Sequence, residues 1–225
     1  EPLRGIFRQD NSYALLGDSL FSFDVGVGFN KQNRELKDRF DAFLRDIKAS
    51  GVYKDMVDRW MIKGETTMPP RSPASKNGFL VVGVSDAGLP FTVVKDNQLV
   101  GFDIELVERF AASEEKEIRF ANMDFGSLIA AVSSGKADMI ASAIYITDER
   151  KKQIEFSHPY YEMGTRVFGL AHNIASGELP LTPSNLLRTL DDLSDKKIGV
   201  MLGSTHDVFA HKHYPQADIL QYKSP

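Results

Sequence analysis

The chain contains no cysteine, a single tryptophan and no apolar run approaching the roughly 18–20 residues of a membrane span. The first absence excludes disulfides, thiolate nucleophiles and Cys-ligated zinc together. An excess of basic residues is also missing. Lys and Arg number 27 against 31 Asp and Glu, a formal net charge of −4. General nucleic-acid binding needs clustered cations and is excluded on that ground. The five histidines show no ligand spacing: His206, His211 and His213 share a segment, but neither interval puts two of them on one helical face. Neither G-x-S-x-G nor a phosphate-binding P-loop occurs, and the neighbours Ser157 and His158 make no triad by adjacency. The expectation is a protein that is not an enzyme and needs no cofactor or metal.

What is present is ordinary globular composition, 42% hydrophobic and 26% charged, over 225 residues. That length suffices for one large or two small domains with ample core. The most informative stretch is 124–161. Asp124 is an expected N-cap, and Leu128, Ile129 and Val132 follow at helical spacing. Gly135 stands where a left-handed residue would stop the helix. Residues 138–144 read as a strand buried on both faces. Thr147 then caps a turn rich in acids that carries Arg150, and Pro159 forces an extended exit.

Before that stretch, residues 13–16 and 22–29 read as two short strands separated by Gly17-Asp18. Asn33 caps an amphipathic helix with Leu36, Phe40, Phe43, Leu44 and Ile47 on one face; Gly51 ends it, and a second helix is expected over 52–61. Residues 66–77, rich in Pro, Ser and Thr, read as a linker. A buried strand over 79–84, a hairpin over 94–100, a helix over 103–112 and a strand over 117–121 follow. Beyond residue 161 the pattern predicts a strand over 165–171, a polar loop over 173–185 and a strand over 197–201. A helix over 206–213 and a last strand over 219–222 complete the reading.

The ordered series Gly101-Phe-Asp-Ile-Glu-Leu, Met123-Asp-Phe, a small-residue strand, Thr147-Asp-Glu-Arg-Lys-Lys and Phe156-Ser-His-Pro-Tyr-Tyr resembles the periplasmic solute-binding proteins of family 3. These are the glutamine-, arginine- and glutamate-binding components of ABC importers, with related sensor domains. The resemblance runs through residues 79–170. It implies an α/β fold of the two-lobed Venus-flytrap kind (type II), built of mostly parallel sheets flanked by helices. It implies extracytoplasmic capture of an amino acid between the lobes for a membrane permease. The alternative is a sensor domain that uses the same closure to signal in a membrane receptor.

The series within 22–61 resembles the family's C-terminal end, although it precedes the match to the family's beginning. Residues 1–64 are therefore expected to be the C-terminal portion of one module, with 1–19 in lobe 2 and 20–64 in lobe 1. A linker follows at 65–77, lobe 1 continues over 78–165, and 166–225 is the hinge and first part of lobe 2. Hinge segments are expected at 22–29 and 156–170. Either tandem modules or a circular permutation would produce that order, the Pro-rich linker favouring the first, and a swapped dimer is a further expectation.

Arg150 is the leading site candidate, because a guanidinium matches the planar α-carboxylate of an amino acid with two parallel hydrogen bonds. The plain alternative is a solvated charge in Asp-Glu-Arg-Lys-Lys. The resemblance also implies ligand contact by Phe125, which could equally be core, and by Ser142 and Ala143 toward an α-ammonium. Tyr145 stands where the family usually has a small hydroxyl, and Gly88 where many members carry a second aromatic. Ser204 and Thr205 open a helix whose N–H groups could take a carboxylate, or could form an ordinary cap.

Overall fold

The computed structural model describes residues 12–70, 77–174 and 187–224. The expected linker and the loop expected at 173–185 fall partly outside that set, as do the first residues. The chain forms two compact units. The larger is Asp24–Glu162 with the chain end from Lys223; the smaller takes the described residues up to Phe23 together with Met163–Tyr222.

The larger unit is built on one five-stranded sheet in the order β6-β3-β7-β2-β8. Its strands are β2 (Gly28–Phe29), β3 (Phe79–Val84), β6 (Glu117–Asn122), β7 (Met139–Ile140) and β8 (Glu155–Phe156). β3 runs parallel to β6, with Phe79 opposite Glu117, and parallel to β7, with Val82 opposite Met139. Parallel neighbours need crossovers. The helix α3 (Phe102–Ser113) supplies one between β3 and β6, and α4 (Leu128–Ser133) the other between β6 and β7. Ile104, Leu106, Val107 and Phe110 of α3 are fully buried, as their spacing predicts. The expected hairpin is β4 (Val93–Lys95) with β5 (Gln98–Val100), turned by Asp96 and Asn97 at φ 50° and 62°.

Residues that precede the linker complete this unit. β2 pairs antiparallel with both β7 and β8. The helix α1 (Arg34–Ala49), capped by the Asn33 side chain, buries Leu36, Phe40, Leu44 and Ile47. Phe40 meets Phe110 edge-on at 5.0 Å. Gly51, at φ 85°, separates α1 from α2 (Val52–Val57). The single helix expected over 52–61 is instead α2 followed by a π-helical turn, Asp58–Lys63. In that wider turn the consecutive Arg59 and Trp60 both reach Glu105, at 2.6 Å each, and Arg109 adds a third contact at 2.8 Å. Burial opposes ionisation of Glu105, but these donors hold its carboxyl below the usual range.

In the smaller unit, β1 (Tyr13–Val25) pairs with β9 (Tyr161–Leu170), and β10 (Lys197–Met201) runs parallel to β11 (Asp218–Tyr222). The helix α6 (Thr205–His213) connects the latter two. Leu16, Ile174, Leu193 and Tyr214 form the shared core. The two short strands expected over 13–16 and 22–29 are corrected: one strand runs from Tyr13 to Val25. Gly17 sits inside it at φ 66°, a conformation glycine adopts without penalty. Among the described residues the β1–β9 and β10–β11 pairs are two separate two-stranded sheets. The chain passes between units within β1, at Phe23/Asp24, and within β9, at Glu162/Met163.

Candidate functional site

Phe125 follows β6, and residues 142–145 follow β7. Both lie beyond the carboxyl ends of parallel strands, where open α/β sheets bind ligands. The strand expected over 138–144 stops at Ile140, because the backbone changes partners there. Ala141 N still donates to Gly83 O of β3 at 3.1 Å. After that, Gly26 N donates to Ile144 O (3.1 Å), Ile146 N donates to Asp24 O (2.8 Å), and Tyr145 bridges Val25. The switch is made at Ala143, at φ 47°, a left-handed conformation that a non-glycine residue holds only under constraint.

Ser142 is fully buried, and its hydroxyl accepts from Ser85 N (2.8 Å) and donates to Ser85 O (3.0 Å). The hydroxyl therefore belongs to the scaffold. Among the described residues no N–H or O–H donates to the Ser142 carbonyl. Tyr145 is buried, and its carbonyl accepts from Arg150 Nη1 at 2.9 Å.

Arg150 is placed by Thr147, whose hydroxyl accepts Arg150 N at 3.3 Å and caps α5 (Asp148–Lys151). The residue is 9% exposed, and its guanidinium lies 5.5 Å from the centre of the Phe125 ring. Burial pushes its pKa down to about 10, the Tyr145 side partly opposing this. Among the described residues no carboxylate comes within salt-bridge distance. One of its five N–H donors is used, on a neutral carbonyl. A buried cation in this state carries an uncompensated desolvation cost, which an incoming anion would offset.

Asp124 does not act as a side-chain cap. Its carbonyl instead accepts Ser127 N (2.9 Å), so the helix opens with the 3₁₀ turn Phe125–Ser127. Gly88, at φ 80°, sits in a tight turn closed by Thr92. Ser204 and Thr205 belong to the smaller unit and are described there by themselves. The Ser204 hydroxyl accepts Asp207 N (3.1 Å), and Asp207 Oδ2 accepts Gly203 N (3.0 Å), so a carboxylate of the chain itself already faces this turn. Gln221 also donates to both Asp207 oxygens, at 2.9 and 3.0 Å. Among the described residues no group of three His, Asp or Glu could hold a metal ion.

Two residues of the site were not singled out from the sequence. Asp103, fully buried, accepts Ala143 N at Oδ2 and the Tyr160 hydroxyl at Oδ1, both at 2.6 Å. The available signal was an acid flanked by Phe102 and Ile104 on a helix that is apolar at both neighbours. A first-turn carboxylate reads equally well as helix-dipole compensation, which hid it.

The larger unit thus sets a buried arginine, without a carboxylate partner among the described residues, beyond the strand ends of a mixed α/β sheet. Residues 80–199 match the bacterial extracellular solute-binding proteins, family 3, and the chain belongs to that family. It is 39% identical over 128 residues to a probable histidine-binding protein of Campylobacter jejuni, covering 57% of this chain and 46% of that protein. It is 32% identical over 154 residues to the ABC transporter arginine-binding protein 1 of Escherichia coli, covering 68% and 57%. The chain thus spans about half the length of the curated relatives it matches. Among solved structures, an ancestral arginine-binding protein bound to arginine matches with TM-score 0.50 and 32% identity, covering 66% of this chain and 62% of that one. An ancestral amino acid-binding protein described as a precursor of cyclohexadienyl dehydratase matches with TM-score 0.52 and 29% identity, covering 66% and 63%.

Proposed function

We propose that the chain captures an amino acid outside the cytoplasm, as a solute-binding protein or module serving an ABC-type importer, and releases it unchanged. The carrying observation is the buried Arg150 guanidinium, which has no carboxylate partner among the described residues. In this reading the ligand's α-carboxylate pairs with Arg150, stacked over Phe125 and steadied by the Tyr145 carbonyl. The α-ammonium is met by the Ser142 carbonyl, with Ala143 shaping the loop. The remaining partner is a membrane permease. Relatives named for histidine, arginine and cystine binding support an amino acid as the ligand class. Thermal-shift screening with the twenty amino acids, followed by calorimetry and mass spectrometry of the recovered ligand, tests the proposal. Saturable stabilisation by at least one amino acid, recovered unaltered, is expected; stabilisation by none, or its conversion, would overturn it.

A further inference from the structure

The loop assigned to the ligand is also fastened to the two strands that carry the chain between units. Gly26 N and Asp24 O, at the end of β1, bond Ile144 O and Ile146 N. Gly26 approaches so closely that an added Cβ would lie 2.8 Å from the Ile146 side chain. On the other strand, Tyr160 directly precedes β9, and its backbone N donates to Val25 O at 3.0 Å. Its ring stacks on Phe102 with centroids 5.8 Å apart, and its own carbonyl accepts the Tyr53 hydroxyl. The Asp103 side chain grips both sides, with the Ala143 N–H on one oxygen and the Tyr160 hydroxyl on the other.

We propose that Asp103 is a positioning residue that holds Ala143 in its left-handed conformation and ties the ligand loop to the root of the crossing strand at Tyr160. The constraint at Ala143 needs an outside agent, since alanine does not favour that conformation by itself. Asp103 supplies it by accepting the Ala143 N–H with an oxygen that a second donor, Tyr160, keeps oriented. The left-handed residue in turn aims the Ser142 carbonyl and the Tyr145 carbonyl, and the latter orients Arg150. Among the described residues no cation faces the carboxylate: its partners are the Tyr160 hydroxyl and the Ala143 amide, with the Tyr53 phenol nearby. Position, rather than ion pairing, is therefore what it provides. Binding at the loop and the conformation of the strand roots are then linked through one side chain. This link rests on the site assignment proposed above.

The test compares wild type with Asp103→Asn, Asp103→Ala and Tyr160→Phe. Tyr160→Phe keeps the stacked ring and removes only the hydroxyl, so it remains informative even where Asp103→Ala fails to fold. Amide exchange in the free protein is followed over residues 141–146 and 160–164, with β3 as an internal reference. L-arginine affinity is measured by calorimetry at pH 6 and pH 8. Loss of one hydrogen bond corresponds to about tenfold in an equilibrium. Roughly that acceleration of exchange is expected in both segments but not in β3, together with about a tenfold loss of arginine affinity. Asp103→Asn keeps an acceptor for Ala143, so it should partly rescue both readouts and remove any pH dependence of binding. Unchanged exchange over 141–146 in Tyr160→Phe and Asp103→Asn would overturn the proposal. Faster exchange with unchanged arginine affinity would overturn it as well. If wild type binds no amino acid, the site assignment falls, and the exchange data alone still decide whether Asp103 links loop and strand.

Discussion

Arg150 donates from Nη1 to the carbonyl oxygen of Tyr145 at 2.9 Å, five residues back along the chain. The bond fixes the guanidinium plane but leaves its charge unmatched. A buried charge without a counter-charge is a poor structural element and a good receptor for an anion.

Two substitutions at Arg150 separate these properties. Arg150→Lys keeps the charge and loses the two-pronged geometry, so affinity for an amino acid should fall by one to two decades, about 1.5–3 kcal/mol. Arg150→Met removes the desolvated charge and should abolish binding while leaving the melting temperature unchanged or raised. Calorimetry and thermal unfolding measure the two effects. A methionine variant that melts well below wild type would show that the guanidinium is structural.

Ser142→Ala should act in the opposite sense. The hydroxyl bonds only backbone groups of the larger unit, Ser85 chief among them, so its loss leaves Ser85 N without that acceptor and costs about 1–3 kcal/mol. The carbonyl remains in place, and affinity should change by less than about threefold, within the scatter of a modest contact. Denaturant titration and calorimetry on one preparation compare stability with affinity. A large loss of affinity at unchanged stability would make the hydroxyl a ligand group.

Asp103 predicts a pH signature in stability. Burial pushes its carboxyl up to about 7, against hydrogen bonds from Tyr160 and Ala143 that favour the ionised form. The folded chain then keeps a proton that the unfolded chain has released above its ordinary value near 4. Stability from this group is fully present below pH 4, falls as pH rises toward 7 and is level above it. The total is on the order of 4 kcal/mol. Asp103→Asn does not titrate, so the stability of wild type relative to the variant should decline from pH 4 to pH 7. Denaturant titrations of both proteins across that range provide the check; a constant difference would contradict the raised pKa.

Gly101→Ala is expected to disrupt the larger unit. Gly101 sits at φ 138°, and an added Cβ would stand 2.0 Å from the Phe91 carbonyl oxygen, a backbone atom with little room to move. The expected loss exceeds about 3 kcal/mol, and expression as folded protein should drop accordingly. Circular dichroism of the purified variant measures it.

The sequence alone determined the elements whose information is local. Apolar spacing placed α1 and α3, side-chain caps at Asn33 and Thr147 set helix starts, and Gly51 and Gly135 took the left-handed stops their positions required. The short ordered motifs also singled out Arg150 and Phe125, which are both buried, with the guanidinium 5.5 Å from the ring centre. Tertiary structure decided the rest, because each case depends on a partner distant along the chain. Ile140 ends its strand because the following backbone turns to Asp24 and Gly26. The Ser142 hydroxyl belongs to Ser85, and Asp103 reaches Ala143 and Tyr160 across spans of 40 and 57 residues. No periodicity records which oxygen a buried hydroxyl will face or whether a buried guanidinium will meet a carboxylate. Those outcomes are set by the geometry of the assembled sheet, where desolvation makes each hydrogen-bond partner decisive.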